Sequence, residues 1–435
     1  MKRDPIVLGD GCILAGDDVG KTRPNANVLI VGATGCGKST SVFLPTVSRM
    51  CWSNPVLSFA KPQDGYAYAK YLAKKGYKVH ILDLTDPCMS TISYDPVLSL
   101  ESVQDIEGLA KSIMDSVITR TVDDYWQSKA CPLISSVVAA PLMLSEDGSS
   151  PGMMDALELF NRTIPREDGY TVSAEADQVF QKLEKADPDC FAVREYNNWH
   201  SLPYKTASCV RDTAAAGLSA VFPEAIRKMM RSQPQLDLER FVRHREAVIV
   251  ITSALEPTQQ LYANLFYRDM ERQLLRYAAL CPKGELPREV RFFFEDFACT
   301  AKINGFANDI SLFRSAGISA VLFLQSEQQL EALYRDEAAI IRQNCAAYVY
   351  FPGGFDDRSC EIVSKRMGLP YEEILYAPMG KVFVMRSGCQ PVHIPRYDTL
   401  HSNEYHDFMK IIETLKKLSY SADSLELWAK KNGFI

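Results

Sequence analysis

The stretch "NVLIVGATGCGKST", residues 27–40, is the strongest indication of the fold of this chain. Its apolar first half is typical of a buried strand, and its second half matches G-x-x-x-x-G-K-[ST], which opens a helix. Glycines in such a loop let successive backbone N–H groups converge on phosphate oxygens, and the following helix N-terminus adds a favourable dipole. The pattern therefore predicts a nucleotide site. Its members are Gly32, Ala33, Thr34, Gly35, Cys36, Gly37, Lys38, Ser39 and Thr40.

Two side chains of this phosphate loop have specific expected functions. We expect Lys38 to reach the β- and γ-phosphates and the Ser39 hydroxyl to coordinate Mg²⁺. ATP and Mg²⁺ are therefore the expected ligands. The alternative is a glycine-rich turn whose lysine has no function.

Two adjacent carboxylates follow another apolar run in "FFFEDFACTAKINGF", residues 292–306. Burying an ionised carboxylate is costly unless a cation compensates it, and a magnesium ion between Ser39, the nucleotide and a carboxylate would do so. Adjacent strand residues point to opposite faces, so we assign Glu295 to the metal and Asp296 to polarising the attacking water. The alternative is that one acid functions and the other begins a solvated loop.

A polar residue ends the next apolar run. In "FLQS", residues 323–326, Gln325 stands where an aliphatic run would otherwise continue. Such a side chain can contact the γ-phosphate and couple hydrolysis to movement. The alternative is an ordinary polar residue that terminates a strand.

Hydrophobic periodicity predicts an α/β fold with a mainly parallel sheet covered by helices. The predicted strands are 28–31, 55–59, 78–84, 247–252, 290–296, 318–325 and 347–351. Strand signals disappear between about 100 and 240, where amphipathic helices indicate an inserted all-α domain. We therefore predict the first part of a nucleotide-binding domain at 1–100, the all-α domain at 100–240, the second part at 241–400 and a C-terminal helical tail at 401–435.

Composition excludes several other classes of protein. The 435 residues carry a formal net charge of −6, so the surface as a whole is not adapted to nucleic acid. The 12 cysteines show no C-x-x-C pair or zinc-type spacing, which predicts reduced, mostly buried thiols of a cytosolic protein. The start has no signal-peptide pattern. The longest apolar tract, 131–144, is too short and interrupted for a bilayer, which takes about 20 residues.

Two further stretches follow the phosphate loop and the acid stretch. They are "FRSAGISAVLFLQSEQQLEALY" (313–334) and "IIRQNCAAYVYFPGG" (340–354). The order and spacing of the four motifs resemble those of conjugative coupling proteins, the TraG/TraD-like ATPases of type IV secretion systems. The resemblance covers nearly the whole chain, including the all-α insertion.

This resemblance implies a RecA-like P-loop NTPase motor that assembles as a homo-hexamer at the cytoplasmic face of the cell membrane. It implies that ATP hydrolysis feeds relaxase-bound single-stranded DNA to the components of a type IV secretion channel. Proteins as additional cargo, or as the main cargo in place of DNA, stay open as alternatives. The all-α domain is implied to receive the substrates.

Three features depart from the family pattern. The acid pair is Glu then Asp, whereas the family usually has Asp then Glu or two Asp. The turn "SFAKPQDG" (58–65) has no acid at the strand end itself. The chain also starts almost at the nucleotide domain, so we expect either a soluble form recruited by a separate membrane-anchoring partner or a chain shortened from a longer parent.

Five arginines are candidates for contacts with DNA or with a neighbouring subunit. A basic cluster at 227–246 offers Arg227, Arg231 and Arg243 for DNA phosphates, with a solvated helix face as the alternative. Arg314 and Arg342 lie near predicted strand ends and are candidates for the arginine that a neighbouring subunit inserts to stabilise charge on the γ-phosphate. A surface arginine paired with a local acid is the alternative for each.

Two other functions stay open at this point. One is a double-stranded DNA translocase of the segregation or packaging type, although the large all-α insertion is not expected in that class of protein. The other is an adaptor that binds ATP with weak or no hydrolysis and collects a relaxase or effector protein. Loss of ATPase activity on substitution of Glu295 or Asp296 would exclude the adaptor.

Overall fold

Residues 3–14, 25–115, 124–145, 150–165, 175–253, 255–298, 302–354 and 356–418 are described by a computed structural model. The chain divides into two units, one formed by Met1–Ile92 with Leu236–Ile435 and the other by Ser93–Gln235. We refer to them as the sheet unit and the helical unit.

The described strands of the sheet unit are β1 (Ile6–Gly9), β2 (Cys12–Leu14), β3 (Val28–Gly32), β4 (Asn54–Phe59), β5 (Lys78–Asp83), β6 (Glu246–Ile251), β7 (Val290–Phe294), β8 (Ile318–Leu324), β9 (Ala347–Phe351), β10 (Lys381–Arg386) and β11 (Val392–Pro395). Nine of them form one sheet in the order β11-β10-β9-β3-β8-β7-β4-β6-β5. Neighbours from β9 to β5 run parallel, and β10 is antiparallel to both β9 and β11. The predicted α/β class with a mainly parallel sheet is confirmed.

The described helices, in chain order, are α1 (Leu44–Ser48), α2 (Pro62–Lys74), α3 (Val103–Asp115), α4 (Asp124–Leu144), α5 (Met153–Asn161), α6 (Glu175–Ala186), α7 (Phe191–His200), α8 (Tyr204–Val221), α9 (Glu224–Ser232), α10 (Leu238–Arg243), α11 (Pro257–Leu280), α12 (Phe306–Ala316), α13 (Glu327–Tyr334), α14 (Glu337–Gln343), α15 (Asp357–Met367), α16 (Tyr371–Leu375) and α17 (Asn403–Leu418). Helices α3 to α9 belong to the helical unit. No helix in the described ranges is both long enough and apolar enough to cross a membrane.

The central strands are mostly apolar because helices cover the sheet. All five residues of β3 and all seven of β8 are buried. Burying an aliphatic side chain contributes about 1.5–3 kcal/mol, so these strands hold the phosphate loop and the polar strand ends on a rigid base.

The helical unit has a core of its own. Trp199 is fully buried and its Nε1 donates to the Ala207 carbonyl oxygen at 2.9 Å. The rings of Phe180 and Tyr196 stack at 3.8 Å between centroids, and the Tyr196 hydroxyl donates to Asp177 at 2.6 Å.

Several expectations about the chain are corrected. The predicted strand 290–296 ends at Phe294. The pairs β1–β2 and β10–β11 were not predicted because these strands depend on their pairing partners rather than on a local pattern. Helix α17 packs on α2, where Phe408 contacts Tyr68 at 4.6 Å between centroids, so it belongs to the sheet unit. Residues 419–435 of the predicted tail lie outside the described residues.

The expectation of mostly buried cysteines is wrong for the described thiols. Four are buried, and four others are exposed because they lie in loops or on helix surfaces: Cys51, Cys88, Cys209 and Cys389.

Candidate functional site

The phosphate loop joins the end of β3 to a helical segment that begins at Ser39. Its first turn, Ser39–Phe43, is a wide π-type turn that continues into α1. Gly35 and Gly37 have φ angles of 82° and 97°, a left-handed region that favours glycine. A Cβ at Gly37 would also lie 2.6 Å from Arg396 Nη1. The loop therefore has the curved backbone that forms an anion-binding concavity.

The Lys38 side chain folds back over this loop. Its Nζ donates to the Gly32 carbonyl oxygen and, at 3.0 Å, to the Ala33 carbonyl oxygen. The ammonium group is therefore held where the loop leaves β3, within the concavity that would take phosphate oxygens.

A serine and an acid from distant parts of the chain meet beside the loop. The Ser39 hydroxyl donates to Glu295 Oε1 at 2.9 Å. In the sheet, β8 separates β3 from β7, and the three strands are parallel. Their carboxyl ends therefore share one edge, and Glu295 is the first residue after β7.

Burial raises the pKa of Glu295 from its ordinary 4.5 to about 7. The hydrogen bond from Ser39 and the charge of Lys61 lower this pKa, whereas the charges of Asp64 and Asp296 raise it. A carboxyl group in this environment is stabilised by a nearby cation when it ionises.

The raised pKa predicts a pH dependence of stability. A folded-state pKa above the unfolded value means that the folded chain binds the extra proton between about pH 4.5 and 7. The free energy of unfolding should therefore fall as pH rises through this window and level off above it. In thermal unfolding without nucleotide, Glu295→Gln should be more stable than the unmodified chain at pH 8 and equally stable at pH 4.5. A stability difference that does not change with pH would contradict the prediction.

Asp64 is a site residue that the sequence reasoning missed. It lies in the first turn of α2, after β4, and β4 pairs with β7 so that Ser58 is opposite Phe294. Burial raises the pKa of Asp64, and Lys61 and Lys416 lower it. The stretch "SFAKPQDG" has no acid at the strand end, and Asp64 was not predicted as a site residue because it belongs to the helix that follows.

Asp296 and Gln325 follow the neighbouring strands β7 and β8. Asp296 is exposed and lies with Glu295 in a turn, so the argument from alternating strand faces is wrong for this pair. Its function in polarising water stays a prediction. Gln325 follows β8, between the strands of the phosphate loop and of Glu295, and its backbone N–H donates to Gln329 Oε1 at 3.0 Å.

Comparisons with known proteins agree with this architecture. The profile of the family described as type IV secretory system conjugative DNA transfer matches residues 2–369. The chain belongs to this family. The predicted resemblance to coupling proteins is therefore confirmed. The curated proteins include no match to the chain.

Solved structures share the fold of this conjugative DNA transfer protein. The bacterial conjugative coupling protein TrwBdeltaN70 in an unbound form has a TM-score of 0.60 and 17% identity, over 85% of this chain and 84% of that chain. TrwB in complex with ADP and Mg²⁺ has a TM-score of 0.60 and 16% identity, over 85% of each chain. VirB4 of Thermoanaerobacter pseudethanolicus has a TM-score of 0.54 and 14% identity, over 91% of this chain and 97% of that chain. These likenesses show a RecA-like P-loop fold with an all-α unit.

The oxygens beside the phosphate loop of this family member fit a magnesium ion. Within the described part of the chain, no group of three or more His, Cys, Asp or Glu side chains is placed to hold a metal. Magnesium is usually held by one or two protein oxygens together with substrate phosphates and water. The adjacent oxygens of Ser39 and Glu295 meet that requirement.

The two candidate arginines for a neighbouring subunit have different surroundings. Arg342 donates to Glu327 at 2.9 Å and to Glu331 at 2.6 Å, and 13% of its side chain is exposed. It is therefore paired with acids of its own chain, and its proposed contact with a neighbouring subunit stays a prediction. Arg314 is exposed in the last turn of α12, next to the amino end of β8, and its proposed function stays a prediction.

The predicted DNA contacts are divided between the two units. Arg227 and Arg231 belong to the helical unit, and Arg243 belongs to the sheet unit. Arg227 Nε donates to the Phe222 carbonyl oxygen at 2.6 Å. Arg243 pairs with Glu239 at 3.1 Å. Arg231 is exposed in the last turn of α9.

Proposed function

We propose that this coupling-protein family member hydrolyses ATP with Mg²⁺ and uses the hydrolysis to move relaxase-bound single-stranded DNA into a type IV secretion channel. The observation that carries this proposal is the contact between Ser39 of the phosphate loop and Glu295 of the acid stretch. A phosphate cradle and a carboxylate on one edge of a sheet are the parts that phosphoryl transfer to water requires.

In the proposed reaction, a water molecule attacks the γ-phosphate, and the bond to the β–γ bridging oxygen breaks to give ADP and phosphate. Lys38 and the loop amides hold the β- and γ-phosphate oxygens. Glu295 and Ser39 would hold Mg²⁺, and Asp296 polarises the attacking water. Mg²⁺, when bound, neutralises charge that develops on the phosphate oxygens.

The assembly expected for the family completes the proposal. A homo-hexamer would let each chain present Arg314 to the nucleotide of its neighbour. We propose that the protein acts at the cytoplasmic face of the membrane through a membrane-anchoring partner and channel components. The solved structures of TrwB in complex with a non-hydrolysable ATP analogue and with ADP and Mg²⁺ support the choice of ATP and Mg²⁺ as ligands.

The test is steady-state ATP hydrolysis with and without single-stranded DNA across a series of protein concentrations. We expect turnover to rise with DNA and with protein concentration, because an assembling motor completes each site with a neighbour. Double-stranded DNA of the same length is the matched control. Binding of single-stranded DNA without turnover would replace the motor by the ATP-binding adaptor, and stimulation by double-stranded DNA alone would indicate a duplex translocase.

A further inference from the structure

A cavity of about 290 Å³ opens beside the phosphate loop. One wall is formed by Thr40 and Ser41, where the loop passes into its helix. The opposite wall is formed by Gly380 and by residues 396–401, which follow β11 and which we call the wall segment. No part of the reaction proposed above uses this cavity.

The wall segment is fastened to the phosphate loop at two points. Arg396 Nη1 donates to the Cys36 carbonyl oxygen at 3.2 Å. The Thr399 hydroxyl donates to the Thr40 carbonyl oxygen, and Thr399 is only 2% exposed. The cavity therefore keeps a fixed position relative to the loop that would hold phosphates.

Side chains of three chemical kinds line the cavity. Leu400 offers an apolar surface that is 47% exposed. Asp398 and His401 are exposed and pair with each other at 2.7 Å. The Tyr397 ring is held in place by Arg49, whose guanidinium lies 4.9 Å from the ring centroid and donates to the Tyr397 hydroxyl at 2.8 Å.

We propose that the wall segment binds the nucleoside part of the nucleotide whose phosphates the loop holds, an inference that rests on the proposed function. Phosphates on the loop place the rest of the nucleotide beyond the loop, and the cavity begins at Thr40, the last residue of the loop pattern. The Asp398 carboxylate accepts hydrogen bonds from ribose hydroxyls, and Leu400 and His401 contact the base. Arg396 adds positive charge beside the phosphates. The cavity is close in size to the smaller ligand sites of proteins, which start at about 300 Å³.

The test compares two ligands that share their phosphates but differ in the nucleoside. Calorimetry on the whole chain measures the affinity for ADP with Mg²⁺ and for inorganic tripolyphosphate with Mg²⁺. The double variant Leu400→Ala/His401→Ala should bind ADP about tenfold more weakly, which corresponds to about 1.4 kcal/mol. Its affinity for tripolyphosphate should stay within about twofold, because only phosphate contacts remain.

A matched double variant controls for surface truncation. Leu312 is 51% exposed on α12 and His244 is exposed after α10, and neither lines the cavity. Leu312→Ala/His244→Ala should therefore bind both ligands as the unmodified chain does.

Two results would overturn the nucleoside inference while the phosphate site stands. One is unchanged ADP affinity in Leu400→Ala/His401→Ala, and the other is an equal loss for both ligands. Lys38→Ala separately tests the phosphate site, since it should weaken the binding of both ligands. An unmodified chain that binds neither ligand would overturn the proposed function and this inference together.

Discussion

Lys38→Ala is expected to lower ATP turnover about a thousandfold, the size of effect seen when a charged or hydrogen-bonding group that stabilises a transition state is removed. The Lys38 ammonium lies over the loop, with its Nζ 3.0 Å from the Ala33 carbonyl oxygen. Alanine leaves the backbone cradle intact but removes the positive charge that compensates the β- and γ-phosphates. Steady-state hydrolysis at saturating ATP and calorimetric binding of ADP are the two measurements.

An exposed lysine elsewhere on the sheet unit provides the control for Lys38→Ala. Lys365 lies in the last turn of α15 and is exposed. Lys365→Ala removes the same charge and should leave turnover and nucleotide affinity unchanged. If Lys38→Ala kept more than about a tenth of the turnover, the loop would not be the phosphate site that its pattern predicts.

Glu295→Gln is expected to lower turnover by a factor of about 10²–10³ while nucleotide binding is retained. Glutamine has nearly the same shape and can still accept the hydrogen bond that Ser39 donates to Oε1. Glutamine cannot carry the negative charge that compensates the charge of Mg²⁺. The variant should therefore bind ATP and fail to release phosphate, which a single-turnover experiment with labelled ATP measures directly.

Asp296→Asn tests whether Asp296 polarises the attacking water while Glu295 holds the metal. Asp296 is exposed, whereas Glu295 is half-buried and contacts the phosphate loop. If Asp296 polarises the attacking water, Asp296→Asn should also lower turnover while Mg²⁺-dependent binding of ATP is kept. Full turnover in Glu295→Gln together with loss in Asp296→Asn would leave Asp296 as the one acid that functions, which is the alternative for this pair.

The strand pattern and the phosphate loop were predictable because both depend on short-range features. A parallel strand covered on both faces is mostly apolar, as β3 and β8 are. A left-handed φ favours glycine, as at Gly35 and Gly37. The strands at the β11 end of the sheet, β10 and β11, were not predicted because their stability comes from neighbouring strands and not from their own residues.

The class of fold, the family and the loop that would hold phosphates could be predicted from the sequence, since each depends on contiguous residues. The tertiary structure alone decided which distant side chains share the site. Ser39 and Glu295 are 256 positions apart. They meet because they follow β3 and β7, two parallel strands on either side of β8 whose carboxyl ends lie at the same edge of the sheet.

Asp64, Arg396 and the wall segment likewise reach the site through strand order and the pairing of β10 and β11 at the sheet edge. The same packing holds Arg342 against Glu327 and Glu331. Contacts between distant segments depend on how whole helices and strands are arranged. The free energy that fixes this arrangement comes from apolar burial and packing across the whole core, so no single stretch of the chain predicts it.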